Sequence, residues 1–195
     1  PEYSGKAKVA SAYFGNVTVL GAKAETFMKR RTMHCCGAAE THLDEARLCQ
    51  VRNRVKAAGW KNTATKVRRS EDSENGIKGG VMAAAKRRLG VKQLHQVKGM
   101  PREVCESEDM VGCVWTTRQM RILILYVYFE AGTGMKGRNM MITKQINTVV
   151  KLMGLPFLVM ADWNMVPQEF NQYGWLDLVG ATVGWTCSNG RRMID

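Results

Sequence analysis

Residues 121–164 constrain the fold more than any other part of the chain. Residues 121–129 (Arg-Ile-Leu-Ile-Leu-Tyr-Val-Tyr-Phe) are β-branched, aliphatic and aromatic almost throughout, and read as the best strand in the sequence. A loop with Gly132, Gly134 and Gly137 follows. Asn139 is then placed to cap a helix running to Met153, with Ile142, Ile146, Val149, Val150 and Met153 on one face. Gly154 and Pro156 stop that helix. The next run, Pro156-Phe157-Leu158-Val159, reads as a strand buried on both faces. It opens into Met160-Ala161-Asp162-Trp163-Asn164. Open α/β sheets take their ligands at strand ends, so Asp162 and Asn164 leave the sheet where a site is expected. A carboxylate and a carboxamide two residues apart can share a phosphate and its attacking water, one accepting a proton and the other donating hydrogen bonds. Asp and Asn also simply begin loops, so this pair gains weight only from what accompanies it.

Upstream, residues 12–20 read as a strand, residues 23–31 as a short helical segment, and residues 33–39 as a second, small-residue buried strand that ends at Glu40-Thr41-His42. Residues 43–58 read as a helix. Asp44 and Glu45 fill its first turn, Ala46, Val51, Val55 and Ala58 form its apolar stripe, and Gly59 ends it. Residues 61–79 are polar and read as a long loop or irregular hairpin. Gly79-Gly80-Val81-Met82-Ala83-Ala84-Ala85 suits a helix by its alanines and a strand by its glycines. A strand is expected over 111–117 after an acidic turn. Strands thus alternate with helices and then with hairpins, which places the chain in the α/β or α+β class with a mixed sheet.

The chain of 195 residues is 45% hydrophobic, enough for one sizeable core, and is read as a single unit. Its net charge of +12 is concentrated. Between Arg47 and Arg102 stand 15 Lys and Arg against three acids, Glu71, Asp72 and Glu74, while the rest of the chain holds 14 of each sign. A patch of this kind is the footprint expected of nucleic acid, DNA first, although a solvated basic face has the same composition. The six cysteines include no C-x-x-C pair. They read as reduced, buried thiols of an intracellular protein, the nucleus included, and zinc is not expected at His34-Cys35-Cys36. No run of about 18 apolar residues is present, so no membrane span is expected. A monomer is the simplest state.

Taken together, the motifs resemble the endonuclease/exonuclease/phosphatase superfamily, which includes deoxyribonuclease-I-like nucleases and apurinic/apyrimidinic endonucleases. The resemblance runs from about Phe14 to Asp195. Gly15-Asn16-Val17 is similar to the family's first strand end, and Glu40-Thr41-His42-Leu43 to its second. Gly79-Gly80-Val81 matches a Gly-Gly-Val strand start, and Tyr128 a strand-terminal tyrosine. Ala161-Asp162-Trp163-Asn164 resembles Gly-Asp-x-Asn. Trp185-Thr186 and Arg192-Met193-Ile194-Asp195 resemble a late Thr segment and an Arg-Ile-Asp motif. This implies a two-sheet β-sandwich flanked by helices, four layers of the deoxyribonuclease-I type, with the last strand or strands beyond residue 195.

The resemblance also implies chemistry. Glu40 would hold Mg²⁺ or Mn²⁺, with Asn16 supporting that shell. Asp162 would orient or deprotonate the attacking water, Asn164 and the Tyr128 hydroxyl would donate to phosphate oxygens, and Asp195 would orient a histidine. Each residue has a plainer reading: Glu40 as an acid opening the following helix, Asn16 as a polar residue on a strand face, Tyr128 as a half-buried aromatic. The pattern also departs from the family. Glu130 stands where a proline usually follows the tyrosine, which makes Tyr126 a rival for Tyr128. The Ser-Asp-His-like motif lies beyond Asp195, and His34, His42 and His95 are poor substitutes. Residues 1–195 are therefore expected to hydrolyse phosphodiesters of nucleic acid weakly if at all. The alternatives are a non-catalytic nucleic-acid-binding remnant and a phosphatase acting on an inositol-phosphate or phospholipid headgroup.

Overall fold

The computed structural model describes residues 11–17, 20–22, 25–26, 33–71, 76–116, 120–165 and 170–182. The alternating hydrophobic pattern resolves into two packed sheets. The first takes β1 (Ala12–Asn16), β2 (Cys35–Ala39), β3 (Trp60–Ala64) and β6 (Val81–Lys86) in the order β1-β2-β6-β3. The second takes β7 (Gly90–Gln93), β8 (Met110–Thr116), β9 (Arg121–Tyr128) and β10 (Phe157–Asp162) in the order β10-β9-β8-β7. β1 pairs parallel with β2 and β10 parallel with β9, while the other pairs in these sheets are antiparallel. A two-residue ladder, β4 (Arg68–Arg69) with β5 (Ile77–Lys78), stands apart.

Strand parity sorts the apolar residues into three cores, because successive side chains point to opposite faces. Cys35, Ala39, Val81, Ala83 and Ala85 of the first sheet meet Val111, Cys113, Trp115, Ile124, Tyr126 and Tyr128 of the second. Cys36, Ala38, Met82 and Ala84 point the other way, onto Leu48, Val51 and Val55 of α1 (Glu45–Ala57). Leu123, Leu125 and Val127 of β9 point away from the first sheet onto Ile142, Ile146 and Val149 of α3 (Gly137–Met153). The layers are therefore helix, sheet, sheet, helix, the four-layer sandwich expected. Two short helices, α2 (Arg102–Cys105) and α4 (Trp175–Val179), complete the described elements, and none of them is long and apolar enough to cross a membrane.

Several expectations need correction. Of the two readings of 61–79 the irregular hairpin holds, through the antiparallel β4–β5 ladder, but β3 is a strand that neither reading included. β3 reads Trp-Lys-Asn-Thr-Ala, with one β-branched residue, and it is pairing with β6 that makes it a strand. β7 was equally hidden, and the acidic turn before β8 contains α2. The apolar stripe of α1 is Leu48, Val51 and Val55, while Ala46 and Ala58 are exposed. Asp44 is its N-cap, accepting from the Arg47 amide at 2.8 Å. β10 is an edge strand among the described residues and is only partly buried, with Leu158 42% exposed, so it is not covered on both faces. Asn139 does not cap α3, whose N-cap position is Lys136; it lies fully buried inside the first turn. Its side chain instead accepts from the Glu130 amide and donates to the carbonyls of Glu130 and Gly134, pinning the glycine loop. Cys35, Cys36 and Cys113 are buried free thiols, but Cys49 and Cys105 are exposed. The helix expected over 23–31 falls mostly outside the described residues.

Candidate active site

The C-terminal ends of β1, β2, β9 and β10 meet at one end of the sandwich. Asn16, the last residue of β1, donates through Nδ2 to Glu40 Oε2 at 2.7 Å and to Asp162 Oδ2 at 2.6 Å. Glu40 follows β2 and Asp162 ends β10, so one amide nitrogen joins carboxylates from two sheets. Tyr128, the last residue of β9, donates its hydroxyl to Glu40. Asn164 Nδ2 donates to Phe129 O at 2.8 Å and to Asp162 Oδ2 at 3.1 Å. Five of the six residues singled out in the sequence are thus brought together. The sixth, Asp195, lies outside the described residues, as do Trp185, Thr186 and residues 192–194.

Local backbone explains the convergence. Glu40, His42 and Asn164 hold φ values of 53°, 46° and 48°, a left-handed region that costs residues with a Cβ and collects at functional sites. The turn after β2 is held by Thr41 and His42 amides donating to Gly80 and Gly79 carbonyls. Gly80 itself sits at φ 87°, and a Cβ there would stand 2.5 Å from Thr41 Oγ1. The Gly79-Gly80 pair is therefore a fitting surface for the Glu-Thr-His turn.

The two tyrosines, two residues apart on β9, face the same core and differ in depth along the strand. Tyr126 lies mid-strand, stacked on Phe14 with centroids 5.9 Å apart and packed over Gly37, and its hydroxyl is buried without a partner. Tyr128 lies two residues nearer the strand end, where its hydroxyl donates to Glu40. Burial chiefly raises the Tyr128 pKa; Glu40 and Asp162 raise it further, and Arg68 opposes them. The phenol therefore stays protonated and acts as a donor. The Asp162 carboxyl is also raised, first by burial and then by Glu40, against the lowering effect of its bonds from Asn16 and Asn164.

A polar network lies behind Tyr128. Asp109, 1% exposed, lies between Arg138 (Nε to Oδ2, 2.5 Å) and Arg68 (Nη2 to Oδ1, 3.4 Å). Burial raises its pKa while the two guanidiniums lower it. Glu130 receives Lys78 at 3.0 Å and faces Arg68 at 3.6 Å, which lowers its pKa. The proline expected at 130 is thus replaced by an acid that ties the β4–β5 ladder to the segment after Tyr128. The Tyr128 amide donates to Asp109 O at 2.9 Å, so the network grips the backbone on both sides of this tyrosine. The signal available in the sequence was the departure Glu130 itself.

The histidines stand apart from the carboxylates. His34 pairs with Ser11 and stacks on Trp115 at the other end of the sandwich, and His95 is exposed on a 3-10 turn. His42 Nε2 is buried without a hydrogen-bond partner among the described residues.

Among solved structures, the endonuclease domain of TRAS1, a telomere-specific non-LTR retrotransposon, superposes with a TM-score of 0.56 at 15% identity, over 88% of this chain and 71% of that one. An endonuclease/exonuclease/phosphatase family protein from Leptotrichia buccalis gives 0.54 at 9% identity, over 93% and 84%. The chain has the endonuclease/exonuclease/phosphatase fold. A β-hairpin deletion mutant of beta toxin from Staphylococcus aureus gives 0.52 at 14% identity, over 90% and 74%. No protein-family model matches the sequence, and no curated protein matches it.

Proposed function

We propose that this chain carries the site of a metal-dependent phosphodiesterase of the endonuclease type, acting on nucleic acid, DNA first. The observation that supports this reading best is the meeting of Asn16, Glu40, Tyr128, Asp162 and Asn164 from four strand ends within one hydrogen-bonded cluster. Two carboxylates drawn onto one amide nitrogen form an anionic pair that fits a hard divalent cation, which takes one or two carboxylates and completes its shell with water and phosphate oxygens. Glu40 would hold Mg²⁺ or Mn²⁺, and the Asn16 carbonyl oxygen is the atom able to face it. When bound, the cation supplies neutralisation of the phosphate's charge.

The remaining chemistry belongs to the chain. Asp162, held by two amides and with its pKa raised, accepts the proton of the water that attacks phosphorus while the bond to the leaving oxygen breaks. Tyr128 presents a phenolic proton that can move from Glu40 to a phosphate oxygen as charge builds there. Both amide protons of Asn164 are engaged, by Phe129 O and Asp162, so its main part is to orient Asp162. Asp195 would orient an imidazole.

No imidazole is bonded to either carboxylate among the described residues. The test is nicking of supercoiled plasmid in Mg²⁺ by the wild type and by Glu40→Gln. Slow nicking that the substitution abolishes supports the reading. Plasmid binding without any Mg²⁺-dependent nicking, by this chain and by any longer parent, would favour a binding remnant. Release of phosphate from inositol phosphates, with DNA left intact, would favour the phosphatase.

A further inference from the structure

The basic stretch between Arg47 and Arg102 does not gather at the carboxylate end of the sandwich. β6 begins at the site end, where Val81 opposes Ala39, and finishes at the other, where Lys86 opposes Trp60. The β6–β7 turn, with Arg87 and Arg88, is therefore at the end opposite the site. So are Lys56 in the last turn of α1, Lys61 near the start of β3, and Arg121, which opens β9 across from Thr116. All five are exposed. Arg87 fastens the group together: its amide donates to Gly59 O at 2.9 Å and its Nη2 to Lys56 O at 3.1 Å.

The two ends treat their cations differently. Toward the site, Arg47 faces Asp44, Lys66 faces Glu45, Arg68 faces Asp109 and Glu130, and Lys78 faces Glu130. At the opposite end, no carboxylate among the described residues pairs with Lys56, Lys61, Arg87, Arg88 or Arg121. The first group thus has carboxylates beside it, Arg68 and Lys78 largely covered and Arg47 and Lys66 at the surface, whereas the second faces solvent with none.

We propose that this far end is a second nucleic-acid surface, which holds the phosphate backbone of a polymer away from the carboxylate cluster. The patch crosses from β3 over the β6–β7 turn to β9, roughly 20 Å at the usual strand and sheet spacings. A duplex presents about one phosphate per 3.4 Å of each strand, so about six phosphates of one strand span it. An exposed row suits a polymer better than a small anion, which needs an enclosing pocket. A bilayer would want apolar side chains projecting beside the cations, whereas the tryptophans here, Trp60 and Trp115, are 3% and 7% exposed and turned inward. The partner rests on the nucleic-acid reading above; the hydrolytic step does not enter.

The experiment is equilibrium binding of a fluorescent DNA duplex in EDTA, across a salt series, with Lys61→Glu/Arg87→Glu/Arg88→Glu beside the wild type. The triple reversal should weaken binding by at least about 30-fold and lower the salt slope by about 2.7, since each phosphate contact adds about 0.9. The milder Arg87→Gln/Arg88→Gln should lower the slope by about 1.8, and covers any failure of the first variant to fold. Unchanged affinity and slope in a folded variant overturn the proposal. So does loss of binding to phosphatidylserine vesicles with DNA binding intact, which would make the patch a membrane surface. Because EDTA removes cleavage from the measurement, an inactive site leaves this result standing, and an active site does not secure it.

Discussion

The two sheets meet through unlike surfaces. The first offers mostly small residues, Cys35, Gly37, Ala39, Ala83 and Ala85, with Val81 and Phe14 beside them; the second offers chiefly large ones, Trp115, Ile124, Tyr126 and Tyr128. Interiors pack at nearly crystalline density, so small residues on one side are what allow large ones on the other. Tyr128 packs in this inter-sheet core, and its hydroxyl reaches Glu40. Each sheet then contributes one carboxylate to the cluster, Glu40 from the first and Asp162 from the second, with Asn16 bridging them.

The sharpest way to break that division of labour is at Asp162. Asp162→Asn keeps the shape but removes the proton acceptor, and Mg²⁺-dependent nicking should fall about 10³-fold. Its raised pKa gives two further expectations. The wild-type rate should drop as pH falls through a value above the ordinary carboxylate range. In stability the sign is opposite: a carboxyl whose folded pKa is raised favours the folded state while protonated, and that contribution is lost as pH rises through the folded pKa. Asp162→Asn should therefore unfold at a higher temperature than wild type above that window. A lower midpoint would mean that the bonds to Asn16 and Asn164 outweigh the burial of charge.

Asp109 tests the network behind the second sheet. Asp109→Asn leaves Arg68, 16% exposed, and Arg138, 24% exposed, facing a neutral group, and should cost about 3–5 kcal/mol in urea unfolding. Arg68→Met should cost less, about 2 kcal/mol, because Arg138 still neutralises Asp109. Equal losses would show that Asp109 draws its support from Arg68 alone. Gly37 tests the small face directly. A Cβ there would overlap the Tyr126 ring, standing 2.6 Å from its Cγ, so Gly37→Ala should cost about 2–3 kcal/mol. Pairing it with Tyr126→Leu should recover most of the loss if the complementarity of the two faces is the cause.

The same contrast explains what could be read from the sequence. β9 announces itself by β-branched and aromatic residues, and with α3 and β10 it makes the positions of Tyr128 and Asp162 at strand ends, and of Asn164 just beyond, legible. In the first sheet β6 is half alanine, whose local preference favours helix, and β3 has one β-branched residue, so neither announces a strand by composition. Glu40 and Asn16 were legible only as parts of an ordered motif set. Arg68, Asp109 and Arg138 were not legible at all, because they meet through tertiary contacts between residues 29 to 41 positions apart in sequence. The basic stretch misled in another way. Sequence shows how charge is concentrated, but strand direction decides which end of the sandwich receives it.

The smallest effect concerns the helix that covers the small-residue sheet. α1 buries Leu48, Val51 and Val55 in a core with Cys36, Ala38, Met82 and Ala84, which Trp60 of β3 shares. Its start depends on Asp44, whose carboxylate accepts the Arg47 amide at 2.8 Å. Asp44→Ala should cost about 1 kcal/mol, and Asp44→Ser much less, since serine caps nearly as well. The second helix on the opposite layer, α3, has no side-chain cap at Lys136 and holds its N-terminus through buried Asn139 instead. Asn139→Ala should exceed the Asp44→Ala loss, at about 2–3 kcal/mol, because it strands buried backbone groups of the loop rather than one solvent-accessible amide. If the two losses come out equal in parallel urea titrations, the loop's carbonyls find water, and the claim that α3 is anchored from within fails.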